Sequence, residues 1–111
     1  MAIDVFTIPT SIPVLIMRLH QINQLTYPLT LETTWQNSLQ IGDQILLIEE
    51  GILRTTHHSD ALKKLITEKQ IALYYLKSDA MAYGLLPTIG NALSDEEWVD
   101  ITFSADANIS W

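Results

Sequence analysis

Glu49-Glu50-Gly51 and the histidines His20, His57 and His58 are the side chains of this 111-residue chain whose types suit acid–base chemistry. The acidic pair falls just past an apolar run, where an open α/β sheet often presents a ligand. Two adjacent carboxylates can divide the roles of acid and base. Successive strand residues point to opposite faces, however, unless the turn redirects them, and an acidic loop ahead of a glycine is ordinarily a solvated turn. His57 and His58 are consecutive, so their side chains diverge and make poor joint ligands for one metal. His20, at the end of the first apolar run, is a lone histidine of the kind more often hydrogen-bonded than catalytic. No Gly-x-Ser-x-Gly elbow marks a nucleophile, and Gly42, Gly51, Gly84 and Gly90 are too scattered to cradle a phosphate. The chain has no cysteine, which excludes disulfides, thiolate metal ligands and persulfide carriage by its own side chains. The residues therefore nominate no catalytic group, no cofactor and no metal site. The enzymatic reading left standing is a small hydrolase or isomerase pairing Glu50 with His20 or His58.

Thirteen acidic against six basic residues give a formal charge of -7, which repels a phosphate backbone, so direct nucleic-acid binding is not expected. An apolar fraction of 48% with 17% charged residues is rich for a domain whose surface must stay largely wet, and part of it is expected to face a partner. No apolar run is long enough to span a bilayer, and the N-terminus lacks the pattern of a secretory signal; no membrane role and a cytoplasmic location are the expectation.

The elements that would position these residues are readable in outline. Residues 1–13, closing on Ile8-Pro9-Thr10-Ser11-Ile12-Pro13, read as an extended leader, and 14–111 as a single domain. Val14 to Leu19, Ile45 to Ile48 and Ile71 to Leu76 are nearly continuous apolar runs, as in strands of a parallel sheet covered on both faces. The intervals between them leave room for crossover helices. One is expected near Leu31 to Leu39, with Leu31, Trp35 and Leu39 on one face and Gly42 as its stop. A second starts at Ser59 as candidate N-cap, with Leu62, Leu65 and Ile66 as its apolar stripe. Ser78-Asp79 could open a short helix through Met81 and Tyr83 that Gly84 ends. Ser94-Asp95-Glu96-Glu97 has the form of a capping box, yet Val99, Ile101 and Phe103 alternate as in a strand, and the residues alone leave that segment open.

Trp35, Tyr74 and Tyr75 lie within apolar stretches and belong to the core. Trp111, the last residue given, would fray unless held, so it either docks on its own domain or is buried against a neighbour. The residues expected at an interface are Trp111, Ile109, Trp98, Glu49 and Glu50.

Four segments, taken in order, resemble the DsrH/TusB family of sulfur-relay proteins. They are Leu15-Ile16-Met17-Arg18-Leu19-His20, Ile45-Leu46-Leu47-Ile48-Glu49-Glu50-Gly51-Ile52, Ala72 to Asp79 with Ala82-Tyr83-Gly84-Leu85, and Trp98-Val99-Asp100-Ile101-Thr102 followed by Ile109-Ser110-Trp111. The resemblance implies a small, mainly parallel open sheet of about four or five strands with helices on both faces. It also favours a helix at Asp95 to Phe103. It implies a cytoplasmic hetero-oligomer with homologous TusC/DsrF-like and TusD/DsrE-like subunits, two copies of each in a heterohexamer, relaying persulfide sulfur to tRNA wobble uridine or serving dissimilatory sulfur oxidation. Some members of the oxidation branch carry a cysteine on the helix after the first strand, where this chain has Thr33-Thr34-Trp35-Gln36. That departure favours an accessory, non-catalytic role in tRNA 2-thiolation. The segment Thr88 to Leu93, with Gly90 and Asn91, makes a poor fourth strand. A homo-oligomeric module of the same fold without sulfur transfer, a homodimer in isolation, is the rival reading within the family.

Overall fold

The computed structural model describes residues 16–111, and the expected leader at 1–13 lies outside them. Five parallel strands form one sheet: β1 (Arg18–Ile22), β2 (Gln44–Leu47), β3 (Ala72–Leu76), β4 (Asn91–Leu93) and β5 (Ala107–Ser110), in the order β4-β3-β2-β1-β5. Between them lie α1 (Leu29–Ser38), a 3-10 turn at Glu49–Leu53 running into α2 (Arg54–His57), α3 (Ser59–Lys69), α4 (Lys77–Ala82) and α5 (Asp95–Ser104).

The sheet buries both faces, which is why its central strands read as unbroken apolar runs. Ile22, Ile45, Leu47 and Leu73 face Trp35 and Leu39, contributed by α1 and its end, and Leu62 of α3; Leu31, Leu65 and Ile66 pack against the same cluster. Leu19, Leu46 and Leu93 face the other way and meet Trp98 and Ile101 of α5. Trp35 is fully buried, and Tyr75 and Tyr74 pack on the two clusters respectively, as their place in apolar stretches predicts.

Several boundaries differ from the sequence reading. The first strand described is Arg18–Ile22, running past the expected end at Leu19, while Val14 and Leu15 of that run lie outside the described residues; its polar residues Arg18 and His20 are tolerated because a buried partner satisfies both. Ser59 opens α3 but makes no side-chain cap; His58 occupies the N-cap position. The segment left open at 95–103 is helical, and Ser94 and Glu97 exchange hydrogen bonds in a reciprocal capping box. Those bonds satisfy two otherwise orphaned N–H groups at the helix start, which periodicity could not weigh. The hydrogen bonds with Ser94 also hold the Glu97 carboxyl below its ordinary range. The weak fourth strand shortens to Asn91–Leu93, and residues 107–110 form β5.

One close approach shapes the rest. Gly51 lies against the carboxyl end of β1, where a Cβ would stand 2.1 Å from the Ile22 carbonyl oxygen. The chain leaving β2 therefore folds back over β1 and delivers Arg54 to the β1–α1 loop.

Candidate functional site

In this strand order the chain steps outward from β1 to β4 on one side and returns to place β5 on the other. The order reverses between β1 and β5, and open α/β sheets bind ligands outside the carboxyl ends of strands at such a point. Here the protein's own residues occupy that crevice. The Tyr27 hydroxyl, from the loop after β1, reaches both Asn23 Oδ1 at 3.0 Å and the Trp111 main-chain oxygen at 3.2 Å, and accepts from the Asn23 N–H at 3.1 Å. The Trp111 N–H donates to the Gln21 carbonyl, extending the β5 pairing by one residue.

Beside the crevice, α1 and α3 flank a groove of about 450 Å³ lined by Tyr27, Glu32, Thr33, Trp35, Arg54 and His58, among others. Its floor is an ion pair. Arg54, 3% exposed, directs both terminal nitrogens at the two oxygens of Glu32 and its Nε at the Gln24 carbonyl, 2.7 Å away. Its guanidinium carbon lies 5.2 Å from the centre of the Tyr27 ring and 5.4 Å from that of Trp35, so two aromatic faces replace part of its lost hydration. Glu32 also accepts from the Tyr27 N–H, the Trp35 indole N–H and the Gln36 side chain. Burial pushes the Glu32 carboxyl up, but the hydrogen bonds from Arg54 and Tyr27, with the Arg54 charge and the Trp35 N–H, outweigh it and hold the group below the usual carboxylate range.

A second buried network crosses the amino-terminal half of β1. Asp43, in the turn before β2, accepts from Arg18 Nε at 3.1 Å, from the Gln40 N–H at 3.0 Å and from His20 Nε2 at 2.8 Å. Burial raises the Asp43 carboxyl and these donors more than reverse it, leaving it depressed. The indole N–H of Trp111 donates to His20 Nδ1 at 3.1 Å, with the ring planes 4° apart. An indole nitrogen can only donate, so His20 Nδ1 must carry a lone pair and the ring proton must sit on Nε2, pointing at Asp43.

The sequence-nominated residues scatter across this frame. Glu49 takes a left-handed conformation (φ 50°), and its N–H donates to Asp79 Oδ2 at 2.5 Å. Glu50 accepts from the Leu25 N–H at 3.2 Å. Both carboxylates are exposed, and among the described residues no hydrogen bond joins Glu50 to His20 or His58. His20 has both ring nitrogens committed, so the hydrolase reading finds no acid–base pair. His57 is exposed while His58 lines the groove, the divergence expected of neighbours. Trp111 packs half-buried on its own domain, beside a half-buried Ile109. Trp98, on α5, is half-buried against the Leu19, Leu46 and Leu93 cluster. Arg54, Glu32, Tyr27 and Asp43 escaped the sequence reading. Only a lone arginine after Gly51 and an aspartate directly ahead of an apolar strand hinted at them. Among the described residues no three histidine, aspartate or glutamate side chains cluster to hold a metal, and no helix is long and apolar enough to cross a membrane.

Thr33 and Gln36 line the groove wall. The bonded and packed side chains can form a wall around the groove. In comparison with known proteins, the model of the DsrH-like protein family matches residues 30–108. The chain is also similar to Protein TusB of Pectobacterium atrosepticum, 26% identical over 96 residues that span 84% of this chain and 99% of that protein.

Proposed function

The chain belongs to the DsrH-like family, and from that premise we propose that it is a non-catalytic subunit of a cytoplasmic sulfur-relay complex that supports 2-thiolation of tRNA wobble uridine. The family match carries the reading, and the chemistry of the chain supports it. A protein without a thiol has no atom on which to form a persulfide, so its contribution to a relay is to shape the assembly in which a partner's cysteine works.

The partners are homologues of the TusC/DsrF and TusD/DsrE kinds, in a heterohexamer, with the transferring cysteine on a subunit other than this one. A surface for them is available on α5, where Val99 and Phe103, the latter 84% exposed, flank Trp98. Among the described residues the buried Trp98 indole N–H has no hydrogen-bond partner, which fits a donor waiting for an acceptor on a neighbouring subunit. Glu49 and Glu50 form the rim of the carboxyl-end surface, and Ile109 and Trp111 contribute through the β5 edge rather than as free anchors.

Co-expression with candidate subunits tests the proposal. The expected result is a stable complex on size exclusion and restored 2-thiouridine in the tRNA of a strain lacking this gene. A chain that remains alone beside those subunits, or that forms a homodimer indifferent to them in light scattering, overturns it in favour of a self-associating module. A complex that forms while tRNA thiolation is unaffected places the protein in the sulfur-oxidation branch instead.

A further inference from the structure

The two buried networks meet at a single residue. Arg18, Asp43 and His20 form one side; Tyr27, Glu32 and Arg54 form the other; Trp111 bonds His20 through its indole N–H and Tyr27 through its main-chain oxygen. We infer that Trp111 is a proton-sensitive latch, closed when His20 is neutral and released when His20 takes a second proton, so that the wall of the groove beside Tyr27 responds to pH.

The argument is one of donors and acceptors. His20 is 1% exposed, and its ring is placed between a group that can only accept and a group that can only donate. The neutral ring with its proton on Nε2 satisfies both. A second proton, on Nδ1, leaves the bond to Asp43 intact and strengthens it by adding charge, while setting an N–H against the indole N–H. The conflict falls wholly on Trp111. That residue has few other ties: its N–H to Gln21, its oxygen to the Tyr27 hydroxyl, and packing of a half-buried ring. It is thus the member that gives way.

The charged and titratable surroundings favour this order of events. Asp43, ahead of β2, faces Nε2, and Arg18 of β1 shares that carboxylate. Tyr27, from the β1–α1 loop, faces the oxygen of Trp111, and Glu32 of α1 is reached through the Tyr27 N–H. β5 contributes Ala107, Asn108, Ile109 and Ser110, none of which titrates. Among side chains of these types, an imidazole is the one that exchanges a proton between about pH 5 and 8. Release of Trp111 would free the Tyr27 hydroxyl from one of its two acceptors and uncover the carboxyl end of β1. The inference rests on the chain's own bonds and stands independently of the family reading.

Amide exchange and side-chain NMR on the full chain, without partners, test it as the pH is lowered from about 8 to about 5.5. As the His20 ring nitrogens report double protonation, the Trp111 indole signal should move to its solvent-exposed position. Protection of the main-chain amide at position 111 should then fall about five- to tenfold, the equilibrium factor of one buried hydrogen bond, with the Leu46 amide unchanged. In Trp111→Phe that amide should be weakly protected at both pH values. Double protonation of His20 with the indole signal and the amide unmoved overturns the latch. So does a ring that stays neutral until the whole domain unfolds, or a drop of equal size in Trp111→Phe.

Discussion

Arg54 and Glu32 meet across the groove floor as a two-pronged ion pair, with the guanidinium held between the rings of Tyr27 and Trp35. Arg54→Ala strips a partly buried carboxylate of its cation and leaves a void between two rings. It should cost about 3–5 kcal/mol in denaturant unfolding, as expected when one partner of a buried pair is removed. Arg54→Lys, which keeps charge but loses the planar fork, should recover only part of that.

Glu32 and Asp43 both hold their protons less tightly when folded than when unfolded. The sign follows directly. Each group stabilises the native state fully above its unfolded-state range, and that contribution is lost as the pH falls through the depressed folded values. Urea midpoints should therefore be level near neutrality and decline below about pH 4. Glu32→Gln should flatten part of that decline; an unchanged acid limb would contradict the assignment.

Gly51 tests how tightly the turn after β2 is seated. Gly51→Ala drives a methyl into the Ile22 carbonyl, which is backbone and cannot swing aside. The variant should lose at least about 3 kcal/mol or fail to fold, because overpacking against main chain displaces both segments.

Gln70 ends α3 in the left-handed region at φ 51°, a conformation that a residue with a Cβ occupies at a cost. Gln70→Gly should raise stability by about 0.5–1 kcal/mol, read as a shifted thermal midpoint. A loss instead would show that the Gln70 side chain contributes more than its backbone strain.

Phe103 is almost wholly outside the core, so Phe103→Glu should leave the unfolding transition within about 0.5 kcal/mol of the parent. Co-purification with partner subunits should nonetheless drop if α5 is the assembly face. Leu86→Glu, at a residue 94% exposed and outside α5, serves as the control surface change.

The strands β2 and β3 and the helices α1 and α3 were legible because burial on both sides of a parallel sheet writes itself as apolar runs and stripes. Gln21 and Ile22, the carboxyl end of β1, fall outside the expected run because Arg18 and His20 interrupt the apolar pattern. Their tolerance depends on Asp43, a residue 25 positions from Arg18 in sequence, and such pairing has no local signature. The same holds for the groove: Arg54 and Glu32 are 22 residues apart and acquire meaning only once Gly51 folds the turn over β1. The capping box at Ser94 and Glu97 was visible as letters but needed the resemblance, and then the geometry, to prevail over the alternating Val99, Ile101 and Phe103.

Placing the final strand beside the first has a consequence for biosynthesis. β1 is made early, yet its outer edge has no neighbour until residues 107–110 have been translated and have cleared the ribosome. Until then that strand offers bare amide and carbonyl groups to any passing polypeptide, a standing invitation to misassembly. The codons for residues 107–110 thus decide when the nascent domain stops being sticky, and a product truncated ahead of them should call on chaperones.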